Sequence, residues 1–291
     1  MNRLRDLPIP TSILMIAGAL LLSGAAVLVA WRVTGELAWV TTFFRYPGNL
    51  FLVASCLAEL TMAIVIFRQF SPEEPLGAAW GLMGLSAACR LAGTVTAHVL
   101  APNSTGLWHT ATVARLRQAG LVIGGPLQMV LLAFALGIVL RAYRRLEAPP
   151  RLTWSDYFLL VLVFAYTLVA VRDVVRVLAD SRPVDWLAAL TWPSDPLLSV
   201  LLVEAVLLRR AALQMRGGLV ASCWAAYAAA VFFTSLGDFG MWATAYGYLP
   251  WPASSLTWYI WLFASAAYAL GPAYMLSALQ RAWRPLSPAV A

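Results

Sequence analysis

Eight stretches of roughly twenty largely apolar residues follow one another along this chain, at about 11–31, 49–67, 77–100, 119–140, 156–177, 194–208, 218–244 and 255–279. About 20 such residues in a helix cross the ~30 Å hydrocarbon layer of a bilayer. The pattern predicts an all-α integral membrane protein of about eight transmembrane helices. A seven-span arrangement follows if the short sixth or the interrupted fifth stretch does not cross. The first stretch follows the basic start MNRLR, as a secretory signal would, but its length and the want of a small-residue cleavage site favour a retained helix.

Composition supports lipid as the main solvent. Of 291 residues, 62% are hydrophobic and 11% are charged, against about 25% charged in an ordinary soluble domain. The basic excess, 20 against 13 acidic, does not point to nucleic acid, because the basic residues are scattered in short clusters between apolar runs. All are arginine. The absence of lysine excludes Schiff-base chemistry on a lysine amine. Cys56, Cys89 and Cys223 lie inside apolar runs at unrelated spacings and read as small apolar fillers.

The arginine clusters also predict orientation. RAYRRLEAPPR (Arg141 to Arg151), RRAALQMR (Arg209 to Arg216) and the tail RAWRPL fall on one side of an eight-span chain, which places both termini in the cytoplasm. The opposite loops, DWLAALTWPSD and YGYLPWPASS, carry the tryptophans and prolines of an interfacial belt. Arg115 and Arg117 fall on the outer side and fit that scheme poorly. The bacterial inner membrane is the expected location.

The two halves of the chain share landmarks. YPGNLFLVASCLAEL from Tyr46 parallels WPSDPLLSVLLVEAV from Trp192, placing Glu59 opposite Glu204 and making Asn49 and Asp195 candidate N-caps. Trp80 with Gly93-Thr94 parallels Trp224 with Gly237-Asp238, and RAYRRL parallels RAWRPL. The expected organisation is a tandem pair of four-helix repeats, 1–148 and 149–291. Since four is even, the copies enter the membrane alike, as a parallel repeat about an axis along the membrane normal. The plainer alternative is that two halves of any apolar chain look alike.

Ionisable groups at membrane depth are rare and usually face the bundle interior. Here they are Glu59, Arg90, Glu204 and Asp238. Arg90 is expected to pair with Glu59 across the short link between the second and third spans. Glu204 is then left for a proton, an alcohol or amide group, or a proton shared with Asp238. The structural reading stands beside this one: an ion pair that only ties helices together, and a neutral acid bonded to a backbone carbonyl. Two stripes at helical spacing, Ser86, Arg90, Gly93, Ala97 and Tyr227, Thr234, Ser235, Asp238, suit either a cavity wall or close helix packing. Arg172, Asp173 and Arg176 read as a local interfacial group without a functional role.

His98 and His109 are the only histidines and lie eleven residues apart, which argues against haem held between two helices. No phosphate loop, HExxH, GxSxG or metal-ligand spacing occurs, so no cofactor or metal is expected, and an enzyme is the least favoured class. Asn103-Ser104-Thr105 matches the glycosylation tripeptide, a common chance pattern. The favoured function is a small-molecule or proton-linked carrier, with Glu59, Arg90, Glu204 and Asp238 in a mid-membrane site between the repeats. The alternative is a non-catalytic sensor or accessory subunit that packs against a membrane partner or a second copy of itself.

Overall fold

The computed structural model describes residues 9–71, 73–100, 111–145, 151–179, 186–215, 218–245, 247–249 and 254–282. Every regular element among them is helical. Helix α1 (Ile9–Thr34) is apolar all round and buries only Pro10, Ala17 and Gly24, as befits a helix wetted mostly by lipid. It docks at Gly24, where an added Cβ would come within 2.8 Å of the Tyr259 ring; the Tyr259 hydroxyl donates to the Leu21 carbonyl at 2.6 Å.

Next come α2 (Leu37–Phe43) and α3 (Asn49–Phe67), joined by a wide π-turn over Phe44–Gly48. Proline lacks an N–H and crowds the carbonyl four residues back. The wide turn absorbs Pro47, so the helix runs on through YPG instead of starting after it. Asn49 is therefore no N-cap: its amide donates to the Arg45 carbonyl at 3.2 Å and to the His98 carbonyl at 3.4 Å. Helix α4 (Pro75–Thr94) ends in a second π-turn, Val95–Leu100. Helices α5 (Ala111–Val122) and α6 (Gln128–Arg145) are joined by a third, Ile123–Leu127, around Pro126. The fourth apolar run is thus part of a longer helix than the pattern predicts.

The second half is built from α7 (Trp154–Ala179), the short α8 (Trp186–Ala189), α9 (Ser194–Gln214), α10 (Gly218–Ala245) and α11 (Ser254–Ala282). Helix α9 exceeds the expected 194–208 by more than a turn, which brings Arg209 and Arg210 inside it. Asp195 also departs from the N-cap expectation, since it is the second helical residue and accepts from the Tyr166 hydroxyl at 2.9 Å. At the start of α7 the Thr153 N–H donates to Asp156 Oδ2 at 2.7 Å, one half of a capping box. Arg210 Nε of α9 donates to the same oxygen at 2.6 Å.

Six helical stretches are long and apolar enough to cross a membrane: Ile9–Thr34, Leu37–Phe67, Thr112–Arg145, Trp154–Arg176, Gly218–Thr244 and Thr257–Ala282. They make the chain a multi-pass helical bundle suited to a bilayer. The other two long helices, α4 and α9, carry Arg90, Glu204, Arg209 and Arg210. Their neighbours shield them: α4 lies against α3 and α6, and α9 against α6, α7 and α10. Polar groups at membrane depth are tolerated where protein, not lipid, surrounds them.

Helices α3, α4, α6, α9, α10 and α11 form the inner ring. Helix α3 packs on α4 and α11; α9 packs on α10 and α6; α10 packs on α11 and α4 on α6. Trp80, Trp224, Tyr227, Leu132, Leu201 and Leu202 fill the largest part of the core between them. Helix α1 lies outside the ring on α11, and α7 lies outside it on α9.

Candidate functional site

The inner ring closes around a buried charge pair. Glu59 on α3 is 4% exposed and Arg90 on α4 is 9% exposed, and the Arg90 guanidinium donates to the Glu59 carboxylate. Helices α3 and α4 are joined by a short link, so neighbouring faces bring the two side chains to one level. The face of the guanidinium sits over the Tyr268 ring of α11, with Cζ 4.4 Å from the ring centre, a cation–π contact that strengthens where water is excluded. Cys56, a turn before Glu59, lies with Sγ 3.8 Å from Thr94 Oγ1.

Position matters here because a lone charge in the bilayer costs at least about 2.5–3.5 kcal/mol. Pairing removes much of that cost, yet the pairing is incomplete. The Arg90 Nε is buried and has no acceptor among the described residues. Beside it lies a cavity of about 130 Å³, walled by Arg90 and Thr94 of α4, Gln128 of α6, Thr234 of α10, and Trp261, Ser265 and Tyr268 of α11. His98 also reaches the wall, with its ring edge-on to Trp258 at 4.9 Å. Both halves of the chain contribute, and hydrogen-bonding groups are set in a lining that is mostly apolar, with Leu52, Met129 and Ala264 also on the wall.

Close packing holds this wall. Gly93, one turn after Arg90, meets the third π-turn so closely that an added Cβ would lie 2.4 Å from Gly124 Cα. On the same face Ser86 donates to the Gln128 carbonyl at 3.0 Å, and the Gln128 amide returns a bond to Ser86 Oγ at 3.2 Å. The stripe Ser86, Arg90, Gly93, Ala97 therefore serves packing along most of its length and the cavity at Arg90. On α10, Tyr227 is buried against Gly271, Ser235 donates back to the Val231 carbonyl, and Thr234 reaches the cavity.

Asp238 is placed near this site but not in the charge pair. Its hydrogen-bonding neighbour is Trp261, and Asp195 lies close enough to repel it. Glu204 lies elsewhere, on the α9 face turned to α6, where the carboxyl rests against Gly137. Of the four acids and bases expected together, the structure joins Glu59 with Arg90, sets Asp238 beside the same cavity wall, and gives Glu204 a different one. Thr234 lies in one of the two stripes that suit a cavity wall, whereas Gln128, Trp261 and Tyr268 belong to neither stripe. A lone glutamine after Gly-Gly-Pro in an apolar run was the one sequence signal for them. The side chain of Asp173, and all of His109 and Asn103, lie outside the described residues. No group of three or more potential metal ligands occurs among the described residues.

Comparison with known protein families, with curated proteins and with solved structures gives no match for this chain.

Proposed function

We propose that this chain is a carrier for a compact polar solute, bound beside Arg90 between two related four-helix halves. The observation that carries the proposal is a buried guanidinium, with one N–H unpartnered among the described residues, whose side chain lines a cavity that has hydrogen-bonding groups on its wall. A buried donor left without an acceptor is expensive, and a solute carbonyl or carboxylate oxygen would satisfy it. Glu59 then holds the guanidinium in place, and Thr94, Gln128, Thr234 and Ser265 supply hydrogen bonds that select the solute.

Packing supports the reading of two halves. The pairs α3 with α4 and α4 with α6 have counterparts in α9 with α10 and α10 with α11, and across the boundary α3 on α11 has its counterpart in α9 on α6. A two-fold axis along the membrane normal would exchange these pairs; the outer helices depart from it, with α1 packing on α11 and α7 on α9. Asp238 is the acid suited to couple a proton to solute movement. It adjoins Trp261 of the cavity wall, and no ion pair engages it among the described residues.

The test is reconstitution into proteoliposomes loaded with a pH-sensitive dye and challenged with a panel of small carboxylates, amides and sugars. A solute-dependent proton signal is expected, abolished by Asp238→Asn, with solute binding abolished by Arg90→Gln. Solute binding that survives Arg90→Gln in a folded variant removes the site. Absence of any solute response together with stable co-purification of a membrane partner replaces the carrier with an accessory subunit.

A further inference from the structure

A second space lies between α6 and α9, and it shares no wall residue with the cavity beside Arg90. It measures about 380 Å³, and its walls include Phe134, Gly137, Ile138 and Arg141 of α6 and Leu197 and Glu204 of α9. Phe134 is 66% exposed, so the space opens on the apolar flank of the bundle. It is a lateral groove that acyl chains can enter.

Two charged groups make it more than an oily cleft. Gly137 has no side chain, and a Cβ built there would lie 3.3 Å from Glu204 Oε1, so the carboxyl rests directly against the α6 backbone. The other oxygen, Oε2, is buried and has no donor among the described residues. Arg141 lines the same groove about one helical turn beyond Gly137, about 6 Å along α6. The remaining wall runs back to Val130, about 16 Å from Arg141 along the helix axis, and is apolar.

We infer that this groove binds a phosphoglyceride that keeps a free glycerol hydroxyl. The phosphate meets Arg141, which excludes a cationic head at that end. The hydroxyl, a few bonds deeper, donates to Glu204 Oε2, and the acyl chain lies along Ile138, Phe134 and Val130. A hydroxyl is suited to this position because it can donate to a carboxylate or accept from a neutral carboxyl group. This site is independent of the solute site and stands if the carrier reading fails.

The probes are monooleoyl glycerol phosphate, which has the hydroxyl and the phosphate, and dioleoylphosphatidylcholine, which has no free hydroxyl. The full chain in mild detergent is incubated with each, and bound lipid is counted by native mass spectrometry. One monooleoyl glycerol phosphate per chain is expected, with at least a tenfold preference over dioleoylphosphatidylcholine. Glu204→Leu and Arg141→Leu are each expected to weaken binding about tenfold or more, as loss of one charge-assisted hydrogen bond does. Gly137→Leu fills the groove and is expected to remove the bound lipid, whereas Arg209→Leu, outside it, leaves binding unchanged. Equal binding of the two lipids to the unmodified chain overturns the inference whatever the variants do. So does wild-type occupancy in monodisperse Glu204→Leu and Arg141→Leu.

Discussion

Glu59 and Glu204 each lie near the middle of a helix that follows an aromatic-proline turn. One is locked to an arginine, under an aromatic ring, in the centre of the inner ring. The other leans on a glycine at the flank, with one oxygen unanswered among the described residues. The difference lies in the partner helix. The neighbour α4 brings Arg90 to Glu59, whereas α6 meets the Glu204 carboxyl with Gly137, which has no side chain to offer. The same residue type thus becomes structural cement in one setting and an open hydrogen-bonding group in the other.

The sharpest way to break this contrast is to remove the cation. Arg90→Leu leaves Glu59 buried and unpaired, and about 3–5 kcal/mol of stability should be lost. The double variant Glu59→Leu/Arg90→Leu should regain most of it, because apolar replacement of both partners is often neutral. Denaturation in mixed micelles checks both, and a double variant as unstable as the single one would remove the pairing from the account. A smaller loss, about 1–3 kcal/mol, is expected for Gly93→Ala, where a methyl group meets backbone instead of a movable side chain. A melting temperature that matches wild type would mean that the α4 wall yields to the methyl group and is no close contact.

A third acid extends the comparison. Asp156 is held by Thr153 and Arg210 at a helix start. Asp156→Ala should cost about 1–2 kcal/mol, the range of a lost cap, and slow hydrogen exchange at the first turn of α7 should be lost with it. The smallest effect belongs to Glu204→Gln, within about 0.5 kcal/mol of wild type, since no protein partner among the described residues is broken. A thermal scan showing a loss as large as that of Arg90→Leu would mean that Glu204 is cement after all.

How much of this the sequence discloses follows from the reach of each signal. Runs of apolar residues gave the long helices, because hydrocarbon thickness and helix rise fix their length. The Arg90–Glu59 pair was readable too, since a short link and two costly charges leave few other solutions. Helix starts were misread at YPGN and WPSD. A proline inside a π-turn and a proline before an N-cap look the same in one dimension. Gln128, Trp261 and Tyr268 meet at the cavity only through the packing of α11 and α6 around α4, which no local pattern encodes. The separation of Glu204 from Glu59 has the same origin: equivalent places on two helices need not face each other.

The π-turn at Phe44–Gly48 has a consequence for how such a chain tolerates insertions and deletions. A π-turn holds one residue more than an α-turn, and each helical residue advances the next by about 100°. Deleting one residue there would collapse the π-turn into an α-turn, which spans nearly the same angle with one residue fewer, so Asn49–Phe67 would keep its facing and the Glu59 carboxyl its place on Arg90. A relative that lacks the extra residue would therefore keep the pair with its acid at an unchanged place on the helix.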